Sequence, residues 1–167
     1  MRRLAAGAVG LLALLALVLA WPRGADAERI EGARLYAAHC ASCHGAHLEG
    51  QKDWDRPGAD GLLPAPPHDA SGHSWQHSDA ELYDLIAHSL ANVAPRGYRT
   101  AMPAFAATLK PAEITAVIAF LKSTWPPGIR AYQASLASGT PDYASLGPDW
   151  SFPPTCRPLA RPAPPGG

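Results

Sequence analysis

The sequence predicts an all-α fold of three main helices joined by long loops. Three observations carry this expectation: three segments place apolar residues at helical spacing, no segment alternates convincingly with period two, and the intervening stretches are rich in proline and glycine. The chain has 167 residues with 18 Pro and 15 Gly, and its 14 basic residues balance its 14 acidic ones. That length allows one ordinary domain, or a small domain with appendages. Zero net charge argues against a surface built to neutralise phosphates, so nucleic acid is not expected as a partner.

Residues 1–27 read as a signal peptide. Met1-Arg2-Arg3 forms a positive start, Leu4 to Trp21 is an apolar run, and Ala25-Asp26-Ala27 supplies the small-x-small pattern of a cleavage site after Ala27. The competing reading is an uncleaved membrane anchor made by residues 4–21, because about 18 apolar residues sit at the lower edge of what spans a bilayer. No cysteine precedes Cys40 to carry a lipid. Either way the expected location is periplasmic or otherwise exported, where free thiols tend to oxidise. Losing Arg2, Arg3, Arg23 and Asp26 leaves a faintly acidic mature chain.

The elements follow in order. Ile30, Ala33, Leu35, Tyr36 and Ala38 fall mostly at helical spacing, which predicts a first amphipathic helix over about 29–43. From Asp53 to Gly72, prolines and glycines predict a loop. Ser78-Asp79-Ala80-Glu81 is a capping box, followed by Leu82, Leu85, Ile86 and Leu90, so a second helix is expected over 79–91. Asn92 to Thr108 is again irregular. Pro111 suits a first helical turn, Glu113 complements the helix N-terminus, and Ile114, Val117, Ile118 and Leu121 make a buried stripe that ends near Trp125-Pro126. The folded unit is therefore expected over 28–125. Residues 126–167 hold 10 of the 18 prolines and read as a tail, mostly extended or disordered, with a short helix over 129–137 as its one candidate element. Loops this long in so small a domain make sense if they wrap a bulky internal ligand.

Cys40-Ala41-Ser42-Cys43-His44 identifies that ligand as c-type haem. Two thiols three residues apart lie on one face of a helical turn and can add to the two vinyl groups of the porphyrin, while the adjacent histidine reaches the iron. A thioredoxin-like dithiol would need a strand before the motif and a sheet around it. A structural zinc site would need two more ligands, for which only His39 and His47 are near. His44 is expected to present neutral imidazole to iron, its other nitrogen held by a backbone carbonyl from the region of Pro64, Pro66 and Pro67, among which the sequence does not choose.

The sixth ligand decides between electron carrier and enzyme. Met102 is the only methionine after Met1, and as a residue before proline it is pushed toward extended loop backbone. It is the expected second iron ligand; a core gap-filler is the plain alternative. His68, His73, His77 or His88 compete for that position, and the first three also form a candidate copper or zinc cluster against the reading of a solvated loop. Two thioethers use Cys40 and Cys43, which leaves Cys156 as an unused tail residue or a thiol that joins another chain.

Over residues 29–125 the sequence resembles class I, mono-haem c-type cytochromes. Gly32 and Tyr36 match the glycine and aromatic of the first helix that cross a C-terminal helix, and Phe120 matches the aromatic of that partner. Cys40, Cys43 and His44 match the haem attachment motif, and Met102-Pro103-Ala104-Phe105 resembles the axial-methionine loop. The resemblance implies a cytochrome c-like fold around one covalent haem c, with thioethers at Cys40 and Cys43 and iron bound by His44 and Met102. Trp75 resembles the family's indole beside a haem propionate, with a simple packing role as its alternative. With both axial positions filled, the expected function is that of an exported one-electron carrier between transient redox protein partners and not an enzyme. The alternative is a haem-containing subunit or domain partner of a periplasmic oxidoreductase.

Overall fold

A computed structural model of the chain describes residues 24–93, 98–139 and 142–147. The apolar run 4–21 and Cys156 lie outside the described residues. Among the described residues six α-helices follow in order: α1 Gly24–His39, α2 Ala41–His44, α3 Asp79–His88, α4 Leu90–Val93, α5 Pro111–Thr124 and α6 Pro127–Ser135, with short 3-10 turns at Ser74–Gln76, Leu136–Ser138 and Tyr143–Leu146. Among the described residues there is no strand. None of these helices is long and apolar enough to cross a membrane.

The centre of the fold is the crossing of α1 and α5. Gly32, Leu35 and Tyr36 are the buried residues of α1, and Ile114, Ala116, Val117, Ile118 and Leu121 those of α5. A Cβ built on Gly32 would lie 1.9 Å from the Ala116 carbonyl oxygen, so only glycine permits this approach. Beside it the Tyr36 and Phe120 rings pack with centroids 5.4 Å apart. Ala at position 32 must push the helices apart, and Gly32→Ala is expected to cost about 2–3 kcal/mol. The check is thermal unfolding, where the midpoint should fall on the order of 10 °C.

Ile30 departs from the sequence reading. The spacing places it on the apolar stripe, but it is 61% exposed. At about 100° per residue, a side chain two positions before Gly32 points to the opposite side of the helix. The first helix also stops at His39, earlier than the expected 43, and resumes as α2 after Cys40 at φ −115°, ψ −38°. The Cys40 N–H still donates to the Tyr36 carbonyl at 2.8 Å, so the break bends the chain without freeing it.

Helix α3 begins with the capping box: the Glu81 N–H donates to Ser78 Oγ, and the Ser78 N–H donates to the Glu81 carboxylate at 2.7 Å. It ends at His88 because Ser89 takes a positive φ of 66°, which divides the expected helix 79–91 in two. At α5, Pro111 occupies the first turn and the Glu113 carboxylate accepts from the Lys110 N–H at 2.7 Å.

The packed unit continues past residue 125. Ile129 and Tyr132 of α6 are 2% and 5% exposed and belong to the same apolar core as Trp75, Trp125 and Leu35. Gln133 Nε2 donates to Asp79 at 2.7 Å, and Lys122 forms an ion pair with the same carboxylate. Beyond α6 the chain turns back, and Ser145 Oγ donates to the Gly128 carbonyl at 3.2 Å. Where the sequence suggested a Pro-rich tail with one short helix, Pro127 starts a helix whose apolar side closes the core over Trp75. The tail composition hid this because a helix that needs a partner carries only one apolar face.

Candidate functional site

Cys40 stands at the N-cap of α2, and Cys43 and His44 lie within that helix. Cys40 is partly buried against the core and Cys43 is exposed. Burial, with Cys43 nearby, pushes the Cys40 thiol up to about 11. A dithiol poised for exchange has a thiol shifted downward. Cys40 is shifted the other way, and among the described residues no strand lies beside it, so the redox-dithiol alternative has no support in this geometry.

His44 is 7% exposed and its Nδ1 lies 2.8 Å from the Pro66 carbonyl oxygen. A carbonyl only accepts, so Nδ1 carries the proton and Nε2 keeps its lone pair for a metal. Burial lowers the pKa of His44 while the Pro66 bond opposes that shift, which leaves neutral imidazole at pH 7. Of the three candidate prolines, Pro66 supplies the carbonyl. Two loop legs place it there: the Gln51 N–H donates to the Ala65 carbonyl and the His68 N–H to the Leu48 carbonyl, both at 2.8 Å. Gly50, at φ 68°, lets these legs close, since a Cβ there would meet the Pro67 nitrogen at 2.4 Å. The Tyr36 hydroxyl fixes the end of α2 by donating to the Gly45 carbonyl at 2.8 Å.

His68 lies flat against His44, with ring centroids 4.0 Å apart and planes 25° from parallel. Its Nδ1 is 2.6 Å from Ser74 Oγ, and its carbonyl accepts from the Trp125 indole at 2.8 Å. Burial lowers the pKa of His68 well below the usual imidazole value, with His44 and His73 adding to the shift. A ring stacked on His44 leaves no metal-sized gap between the two, so in this arrangement His68 would not share an iron with His44. His88 is exposed on α3 beside Asp84.

Met102 is half-buried and packs against the apolar core, as Cys40 does. Its N–H donates to Thr100 Oγ1 at 3.1 Å, and its carbonyl accepts from the Ser89 hydroxyl at 2.6 Å. The segment that follows is laid against α3 by Phe105 N–H to the Ile86 carbonyl and Ala106 N–H to the Ala87 carbonyl. The Phe105 ring meets His39 edge-on at 6.3 Å, which ties this segment to the residue before Cys40.

Trp75 is fully buried. Its indole N–H donates to the Gly72 carbonyl at 2.9 Å and its ring packs against Tyr132 of α6 at 5.7 Å. This bond and this ring contact hold the indole in the core.

His73 and His77 meet edge-on at 5.7 Å, with Trp54 stacked on His73. Among the described residues no group of three or more His, Cys, Asp or Glu is arranged to hold a metal ion, so the copper or zinc cluster is not formed. Burial lowers the pKa of both, with His77 adding to the shift at His73 and Glu81 opposing it at His77. The unfolded chain takes up protons near pH 6.5, where the folded chain does not. Their contribution to stability is complete above that value and is lost as pH falls through the folded-state values. The melting temperature is expected to drop between pH 7 and pH 5, and a His73→Gln/His77→Gln variant should flatten that drop; an unchanged slope would contradict the assignment.

The residues present fit a covalently held porphyrin. Two thiols and a neutral imidazole lie within five consecutive residues at α2, and the imidazole is buried and oriented by the Pro66 carbonyl. Sequence reasoning did not find Ser89 or the stacking of His68. Neither carries a motif, and only a three-dimensional path brings them to the candidate ligands.

A family model described as Cytochrome c matches residues 30–125, more than half of the chain. The chain belongs to the cytochrome c family. The cytochrome binds haem c covalently and serves electron transfer, in agreement with its all-α fold. Neither the comparison with curated proteins nor that with solved structures finds a match. The family match ends at Trp125, whereas the core of this cytochrome extends through Ile129 and Tyr132.

Proposed function

We propose that this cytochrome is an exported one-electron carrier whose haem is joined to Cys40 and Cys43 and whose iron is bound by His44 and Met102. The observation that carries this reading is the buried His44 imidazole, its Nδ1–H given to the Pro66 carbonyl at 2.8 Å and its Nε2 left free as a donor. When bound, haem iron supplies the Fe(III)/Fe(II) couple.

The chain's own residues set how that couple behaves. The Pro66 carbonyl fixes the tautomer of His44 and raises its basicity as a ligand. The Met102 thioether, a soft donor, favours the reduced metal and raises the potential relative to a second imidazole. With His44 and Met102 both bound to the iron, a substrate would find no position to occupy, and the protein would exchange an electron without making or breaking bonds to a substrate. Apolar side chains from α1, α3 and α5 limit the solvent that must reorganise. Partners are redox proteins that dock transiently over a small contact area.

A spectroelectrochemical titration tests the reading. One reversible one-electron transition, with six-coordinate low-spin iron in both states, is expected. A five-coordinate iron in either state, or steady turnover of a small substrate, would overturn it in favour of an enzyme role.

A further inference from the structure

We infer that Ser89 is a positioning residue for the axial methionine, holding the Met102 segment through its hydroxyl; this rests on Met102 being the iron ligand. Ser89 Oγ donates to the Met102 carbonyl at 2.6 Å, and the serine is 4% exposed. Its backbone stands at φ 66°, ψ 153°, a region populated almost only by glycine. A serine pays strain there that glycine would not.

The backbone duty of this position needs no side chain. The Ser89 N–H caps α3 by donating to the Leu85 carbonyl at 3.1 Å, a bond glycine would make equally well. Its hydroxyl also accepts from the Ala91 N–H, but at 3.4 Å and therefore weakly. What the hydroxyl adds is the short bond across to Met102. Toward its N-terminal side, the Met102 segment is held by the bond from the Met102 N–H to Thr100 Oγ1, which lies within the same loop. Among the described residues, the Ser89 hydroxyl ties the residue bearing the thioether itself to the end of α3. The Phe105 and Ala106 bonds to α3 begin three residues later. Without the hydroxyl, the Met102 carbonyl loses a buried partner and the segment gains freedom to swing the sulfur away from iron.

The experiment compares wild type, Ser89→Gly, Ser89→Ala and Met102→Ala as full-length, haem-loaded proteins. Ferric protein is titrated with imidazole, and displacement of the thioether is followed by loss of the sulfur-to-iron charge-transfer absorption. Both Ser89 variants should bind imidazole about three- to tenfold more tightly than wild type, the range one buried hydrogen bond supports. Ser89→Gly should at the same time unfold no more readily than wild type, because it relieves the backbone. A purely structural role would leave imidazole affinity in Ser89→Gly at the wild-type value, and that result overturns the proposal. Should Ser89→Ala fail to accumulate folded, Ser89→Gly alone decides. If wild type itself lacks the sulfur signature and matches Met102→Ala, the His/Met reading fails and this inference falls with it, an outcome visible before any Ser89 variant is compared.

Discussion

Met102→Ala is expected to turn a closed iron site into an open one. With His44 and Met102 as the proposed ligands, loss of the thioether would open the position it fills; His68, stacked on His44 at 4.0 Å, leaves no metal-sized gap between the two rings. The reduced variant should therefore bind carbon monoxide, which wild type should ignore. Its potential should fall by on the order of 0.1 V, a fraction of the roughly 0.8 V that axial ligation spans. The fold should survive, since Met102 is only half-buried and packs at the edge of the core. Optical titration and carbon monoxide difference spectra check both effects. Unchanged spectra would show that another group binds the iron.

Deleting the chain after Pro126 is expected to be the most destabilising change. It removes Ile129 and Tyr132, which are 2% and 5% exposed, and uncovers the faces of Trp75 and Trp125 against which they pack. Each large apolar side chain contributes about 1.5–3 kcal/mol by burial. The loss should reach about 4–6 kcal/mol, a large share of the roughly 5–15 kcal/mol that holds a domain of this size. Asp79 also loses the Gln133 amide, leaving Lys122 as its described partner. Denaturant unfolding of the haem-loaded proteins, full-length against truncated, measures the difference. Equal midpoints would mean that the folded unit does end at residue 125.

What could be read without coordinates was whatever is local. The capping box at Ser78 and Glu81, the first-turn Pro111, the buried stripe of α5 and the Cys-x-x-Cys-His run all lie within a few residues and depend on no distant partner. The Met102-Pro103 setting belongs with them. What could not be read depends on where the chain returns. Pro66 rather than Pro64 or Pro67 meets His44 because the legs near Leu48 and Ala65 pair, a registration set by bonds between distant residues. Ile30 was misplaced because an apolar residue on a helix does not by itself say which face finds a partner. The sequence offers a short helix over 129–137, close to α6, but not its place in the core, because its contact with Trp75 reaches a residue more than fifty positions earlier. Ser89 escaped notice because a positive φ is expected of glycine, and a strained serine leaves no trace in composition or period.

The most direct test is the visible spectrum of the purified, haem-loaded protein, oxidised and reduced, before and after carbon monoxide. A haem that stays with the chain under denaturation, is low-spin in both states and is unaltered by carbon monoxide is the expected result. Haem that dissociates on denaturation, or a reduced spectrum shifted by carbon monoxide, would contradict a carrier with covalent haem and both axial positions filled.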